Sequence, residues 1–192
     1  MMVYDTDQAI PRYILHIGGC GQRNLEWRAP LQRLNNGATV RKIKEADVGV
    51  TDSKELEEFN KAVGHYMRLM GPGSRKVTQV DVYESPMIEK AFQDKEASFR
   101  AKKIDTKKIW VFHGTAEANI EPICGGGFRV AHGDQIKNGA AHGHGVYTAK
   151  GPQTPMGYAD GTGCGAVILS LALPGTTGQQ GQADSWTPGG DG

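Results

Sequence analysis

Apolar residues recur at spacings of three and four from Leu56 through Phe59, Val63, Met67 and Met70, the period at which side chains share one face of a helix. Asp52 can cap that helix, with Glu55 three residues on. Gly71, Pro72 and Gly73 close it, because proline lacks the next N–H donor and glycine tolerates a left-handed cap. The period then changes. Residues 77–83 are rich in β-branched side chains, with Val80 and Val82 on one face, and predict a strand. Ser85 followed by Pro86 opens a second helix, since proline suits the first helical position, and Ile88, Phe92 and Phe99 carry its apolar face through about Lys102. Two unbroken apolar runs, 109–112 and 166–173, predict buried strands; the second lies between Gly165 and the turn Pro174-Gly175.

The rest of the chain has no such regularity. Pro11, Gly18, Gly19, Gly21 and Pro30 interrupt each periodic stretch in the first fifty residues, so residues 1–46 form an unassigned N-terminal segment. Between the two apolar runs lie about fifty residues, 114–165, that read as loop with short helices or strands. Connections that long in a small domain usually carry function. Residues 176–192 are rich in Gly, Gln and Thr, with Trp186 as the one apolar anchor, and read as a flexible, truncated tail.

A length of 192 residues suits one domain. Hydrophobic residues at 38% and charged residues at 22% exclude a wholly disordered chain. The net charge of +1 supplies no general field for nucleic acid or an anionic membrane. No run reaches the ~18 apolar residues that span a bilayer. Three scattered cysteines, Cys20, Cys124 and Cys164, make no disulfide framework and fit free thiols in the reducing cytosol or nucleus. Glycine is the anomaly: 27 residues, of which 19 lie from Gly114 onward, where usage of about 7% would give half as many. Glycine permits close backbone approach, so the rear of the chain is where main chain can touch a ligand.

Candidate chemistry collects there. His113, at the end of the first apolar run, is followed by Gly114 and Thr115. A histidine in that position can offer its ring to a ligand while the neighbouring backbone N–H and C=O stay reachable. In the run 143–149, two glycines precede Tyr147, whose ring is a platform for a flat ligand. Gly127 and Phe128 lead to Arg129, a candidate partner for a phosphate, and Tyr158 follows downstream.

Taken in order, 112–115, Asn119 with residues 120–123, 127–129, 143–149 and 166–175 resemble the catalytic domain of the poly(ADP-ribose) polymerases, the diphtheria-toxin-like ADP-ribosyltransferases. The segment 80–86, ahead of an amphipathic helix, is similar to the family's stretch before its catalytic histidine. The resemblance runs over roughly 47–185, with a catalytic domain expected at 47–175. It implies an α+β fold in which split mixed and antiparallel sheets with flanking helices form a cleft for NAD, the substrate, with no metal. In that cleft His113 is expected to bond the adenine-side ribose, Gly114 to hold the nicotinamide carboxamide through its backbone, and Tyr147 to stack on nicotinamide. Tyr158 is expected to close the other side of the sandwich, and Arg129 to face the adenosine half. Thr115 and Asn119 sit at positions that contact the dinucleotide.

Two departures bear on activity. The family adds a glutamate on a late strand, and no Glu follows Glu121 here. Pro155 stands where many relatives have a serine that bonds the carboxamide, with Thr154 beside it as a substitute. The expectation is transfer of single ADP-ribose units, rather than polymer, from NAD to a protein acceptor. The alternative is an inactive module that binds NAD or ADP-ribose or serves in interactions. Two other motifs carry less. His132, His142 and His144 with Cys124 and Cys164 are zinc-ligand types without zinc-ligand spacing. Residues 18–21 lack the Gly-Lys-Ser/Thr ending of a phosphate loop.

Overall fold

The longest apolar run becomes β8 (Ala166–Ala172), enclosed between β2 (Ala9–Ile17) and β6 (Ile109–His113) in a six-stranded sheet. The computed structural model describes residues 2–18, 31–44, 53–130, 145–180 and 186–188. Completing this sheet are β3 (Gln32–Arg33), β4 (Thr39–Lys44) and β5 (Val77–Glu84), in the order β3-β4-β5-β2-β8-β6 with every neighbouring pair antiparallel. Val167, Ile168, Leu169 and Ala172 are fully buried. That burial explains why β8 is apolar without alternation: both its faces are covered.

The helices appear where the periodicity predicts them. α1 spans Ser53–Met70 and ends at Gly71, which takes φ +79°; Asp52, its expected cap, lies outside the described residues. The buried stripe of α1 is Phe59, Ala62 and Tyr66, with Val63, Met67 and Met70 packed at its border. The face is therefore turned slightly from the one expected. Tyr66 can lie fully inside because its hydroxyl donates to the Arg75 carbonyl at 3.0 Å. α2 (Pro86–Ala101) buries Ile88, Phe92 and Phe99, as its spacing implies. Together with α3 (Ile120–Gly126), both helices pack on β2.

Strands from residues 2–44 and 177–188 join the folded unit. The unassigned N-terminal segment supplies β1 (Met2–Tyr4), β2, β3 and β4, and β2 is interior to the main sheet. Pro11 hid that strand from sequence reading; it sits where the β2–β8 register shifts between Pro11 and Tyr13, a site where a missing N–H is tolerated. The segment beyond 175, expected as a flexible tail, includes β9 (Thr177–Gln180) and β10 (Trp186–Pro188), which pair antiparallel. With β7 (Val146–Thr148) and β1 they form a second, mixed sheet in the order β7-β1-β10-β9. β1, β9 and β10 are only three or four residues long and β2 is interrupted by Pro11, so neither end carries a periodic run that a local window can read.

Candidate active site

The site lies on the seam between the two sheets. On the side away from β8, the end of β6 reaches across to the chain just after β7: the Phe112 N–H donates to the Ala149 carbonyl at 2.7 Å, and the Ala149 N–H donates back to the Phe112 carbonyl at 2.9 Å. One residue further, His113 Nδ1 lies 2.7 Å from the Tyr147 carbonyl oxygen. A carbonyl can only accept, so Nδ1 carries the proton and the neutral ring keeps Nε2 as an acceptor. Burial holds the His113 pKa below its ordinary value, outweighing the opposite pull of the Tyr147 carbonyl. The ring is braced by the edge of Phe128, with centroids 5.1 Å apart and planes at 76°.

Gly114 makes the second join. A Cβ there would overlap the backbone carbonyl of Pro155, so only glycine lets β6 run this close to α4 (Gln153–Gly161). Pro155 is buried, whereas Thr154 and Tyr158, one helical turn apart, are exposed, Tyr158 to 44%. Two contacts hold α4 on its other side: Gln153 Nε2 donates to the Leu69 carbonyl at 3.0 Å, and Arg75 engages both oxygens of Asp160 at 3.3 and 2.6 Å. Asn119 Nδ2 donates to Thr115 Oγ1 at 3.0 Å, which ties down the segment leaving Gly114. Arg129 is exposed next to the buried Phe128.

His113, Gly114, the backbone of Tyr147 and Pro155 are thus joined directly. Thr154 and Tyr158 ride on the helix that Pro155 anchors, and Thr115 pairs with Asn119. Arg129 connects to the cluster through the adjacent Phe128. Sequence reasoning passed over two contributors. Phe128 belongs to the glycine-rich stretch 125–128, and its place between Gly127 and Arg129 was the available signal. β1, which pairs Val3 with Tyr147, left none.

Cys124 and Cys164 are buried thiols, and burial pushes the Cys124 pKa well up, away from a nucleophilic thiolate. Among the described residues no three His, Cys, Asp or Glu side chains are grouped to hold a metal; Cys20, His132, His142 and His144 lie outside the described residues. No described helix is long and apolar enough to cross a membrane. An open cleft lined by Leu34, Asn35, Asn36, Glu121 and Pro122 includes none of the candidate side chains.

The family model of the poly(ADP-ribose) polymerase catalytic domain matches residues 53–179, more than half of the chain. No curated protein and no solved structure matches it. The chain belongs to the poly(ADP-ribose) polymerase catalytic domain family, ADP-ribosyltransferases whose substrate is NAD. The match takes in each candidate residue from His113 to Tyr158, together with α1, β5 and α2 ahead of them.

Proposed function

We propose that this protein binds NAD along the seam between the sheets, cleaves the nicotinamide glycosidic bond and transfers single ADP-ribose units to a protein side chain. The observation that carries the reading is the 2.7 Å bond from His113 Nδ1 to the Tyr147 carbonyl. With burial keeping the ring neutral, it fixes the tautomer whose Nε2 can accept from a ribose hydroxyl, and it ties that acceptor to the residue whose ring is read as stacking on nicotinamide. Leaving-group departure builds positive charge on the ribose, so the site has to orient nicotinamide and tolerate a cation rather than supply a strong base. Gly114 offers main chain to the carboxamide, Tyr147 and Tyr158 offer the two stacking faces, and Thr154 offers the hydroxyl that Pro155 lacks. Thr115, Asn119 and Arg129 serve the dinucleotide's remaining length. A protein acceptor in the cytosol or nucleus fits free thiols and the absence of a general field for polyanions.

One feature favours a second reading, an inactive binding module: Pro155 has neither hydroxyl nor N–H to give the carboxamide. Incubation with NAD separates the two. Release of free nicotinamide supports the transferase; a raised melting temperature without release supports the module, because a ligand that binds only the folded state stabilises it. If NAD produces neither, both readings are wrong.

A further inference from the structure

Tyr147 sits on a strand of three residues, too short for its own ladder bonds to hold it in place. It is supported from both sides. On one side is the isolated bridge from Ala149 to Phe112. On the other is β1, in register over its whole length: Met2 opposite Thr148, Val3 opposite Tyr147 and Tyr4 opposite Val146. Met2 and Thr148 are both buried, at 1% and 2% exposure. β1 in turn lies between β7 and β10, so residues 2–4 form an interior strand of the sheet that presents Tyr147.

The turn that delivers β1 to this place is fastened by one buried side chain. Gln8 is 2% exposed, and its amide is used at both ends: Oε1 accepts from the Asp5 N–H at 2.8 Å, and Nε2 donates to the Leu173 carbonyl at 3.3 Å. Its main chain doubles these links, donating to the Asp5 carbonyl at 3.2 Å and accepting from the Leu173 N–H at 2.8 Å. Lys95 of α2 adds contacts to Asp5 and Asp7 at 3.5 and 3.6 Å. A buried amide with both its donor and acceptor engaged selects one geometry, since any other strands a polar group away from water. Gln8 therefore locks the exit of β8 to the direction in which β1 leaves.

We propose that the N-terminal segment 2–8 is a positioning element of the NAD site: Gln8 sets the path of β1, and β1 holds the strand of Tyr147 in register against His113. This rests on the transferase reading for its kinetic consequence but not for its structural one. Proline at Val3 removes an N–H from an interior strand; isoleucine there keeps it. In the full chain, Val3→Pro is expected to speed amide hydrogen exchange at 146–149 while β8 and residues 109–111 stay as protected as in the unaltered protein. It is also expected to lower kcat/KM for nicotinamide release about a hundredfold, the cost of a misplaced binding group, and Val3→Ile is expected to change neither. Unchanged exchange at 146–149 in Val3→Pro overturns the proposal, and so does unchanged nicotinamide release where exchange has risen. If Val3→Pro loosens the whole protein, Gln8→Leu, which keeps every backbone donor, decides. Loosening confined to 2–8 and 146–149 supports the proposal, and either uniform loosening or none overturns it. A protein that ignores NAD but shows the localised exchange would sink the transferase reading and leave this one standing.

Discussion

The two sheets meet at the candidate site and are built in opposite ways. The six-stranded sheet has long, mostly buried strands at its centre, β5, β2 and β8, and its neighbours pair over up to seven residues, as β2 and β8 do. The four-stranded sheet has strands of three or four residues, drawn from the chain's two ends and from the middle of a long connection. His113 belongs to the first and Tyr147 to the second. A stiff sheet thus presents the histidine while a weakly held one presents the tyrosine, an arrangement in which a ligand touching both couples the two stabilities.

Removing the ring of Phe112 tests the stiff side and the seam together. It is 1% exposed, and its backbone makes the bridge to Ala149. Phe112→Ala is expected to cost about 3–5 kcal/mol of folding free energy, read as a shift in the urea midpoint. A loss below ~1 kcal/mol would mean that the seam is not part of the cooperative core.

Gly114→Ala tests the join itself. Its methyl group would overlap the Pro155 carbonyl, so either β6 or α4 has to move, at about 1–3 kcal/mol. The sharper expectation is functional: NAD should no longer raise the melting temperature even where the variant stays folded, because Tyr158 and Thr154 move with α4. A variant that keeps the NAD response would separate α4 from the site.

Tyr147→Ala reverses the balance of effects. The side chain is half-buried, so stability should change little. NAD affinity should fall by about 1–3 kcal/mol, the usual worth of an aromatic stack on a base, measured by titration. Equal NAD affinity in the variant would remove the stacking role and leave the four-stranded sheet without a function in this site.

How much of this was legible depended on the range of the interactions. α1, α2, β5, β6 and β8 each carry their own period, and reading them needed nothing beyond a window of neighbours. The tilt of the buried face of α1 toward Tyr66 was not legible, because it turns on a hydroxyl reaching Arg75 nine residues away. β1, β2 and β10 were illegible for a stronger reason: Met2, Pro11 and Trp186 are placed by partners as distant as Thr148, Ser170 and Met2. Within the site, His113, Gly114 and Tyr147 announce themselves by residue type beside glycine. The direction of their contact does not, since what meets the imidazole is the main chain of Tyr147 rather than its ring.

The smallest expected effect is on the pH dependence of stability, and it isolates His113. Burial lowers its folded-state pKa from the ordinary 6.5, so as the pH falls below about 6.5 the unfolded chain takes up the proton first. The contribution is therefore fully present above that pH and is lost progressively as the pH drops toward the folded value. His65 adds a slope of the same sign, because burial and the neighbouring Arg68 and Lys61 lower its pKa as well. Only a difference between proteins assigns the effect. The stability gap between the unaltered chain and His113→Gln should be constant near neutrality and narrow between about pH 6.5 and pH 5, followed by chemical denaturation at each pH. NAD affinity should hold over the upper part of that range, because a depressed pKa keeps Nε2 free to accept a hydroxyl. A gap that does not change with pH would mean that the imidazole titrates normally, and Nε2 would then be protonated, and lost as an acceptor for the ribose, at a higher pH than its burial implies.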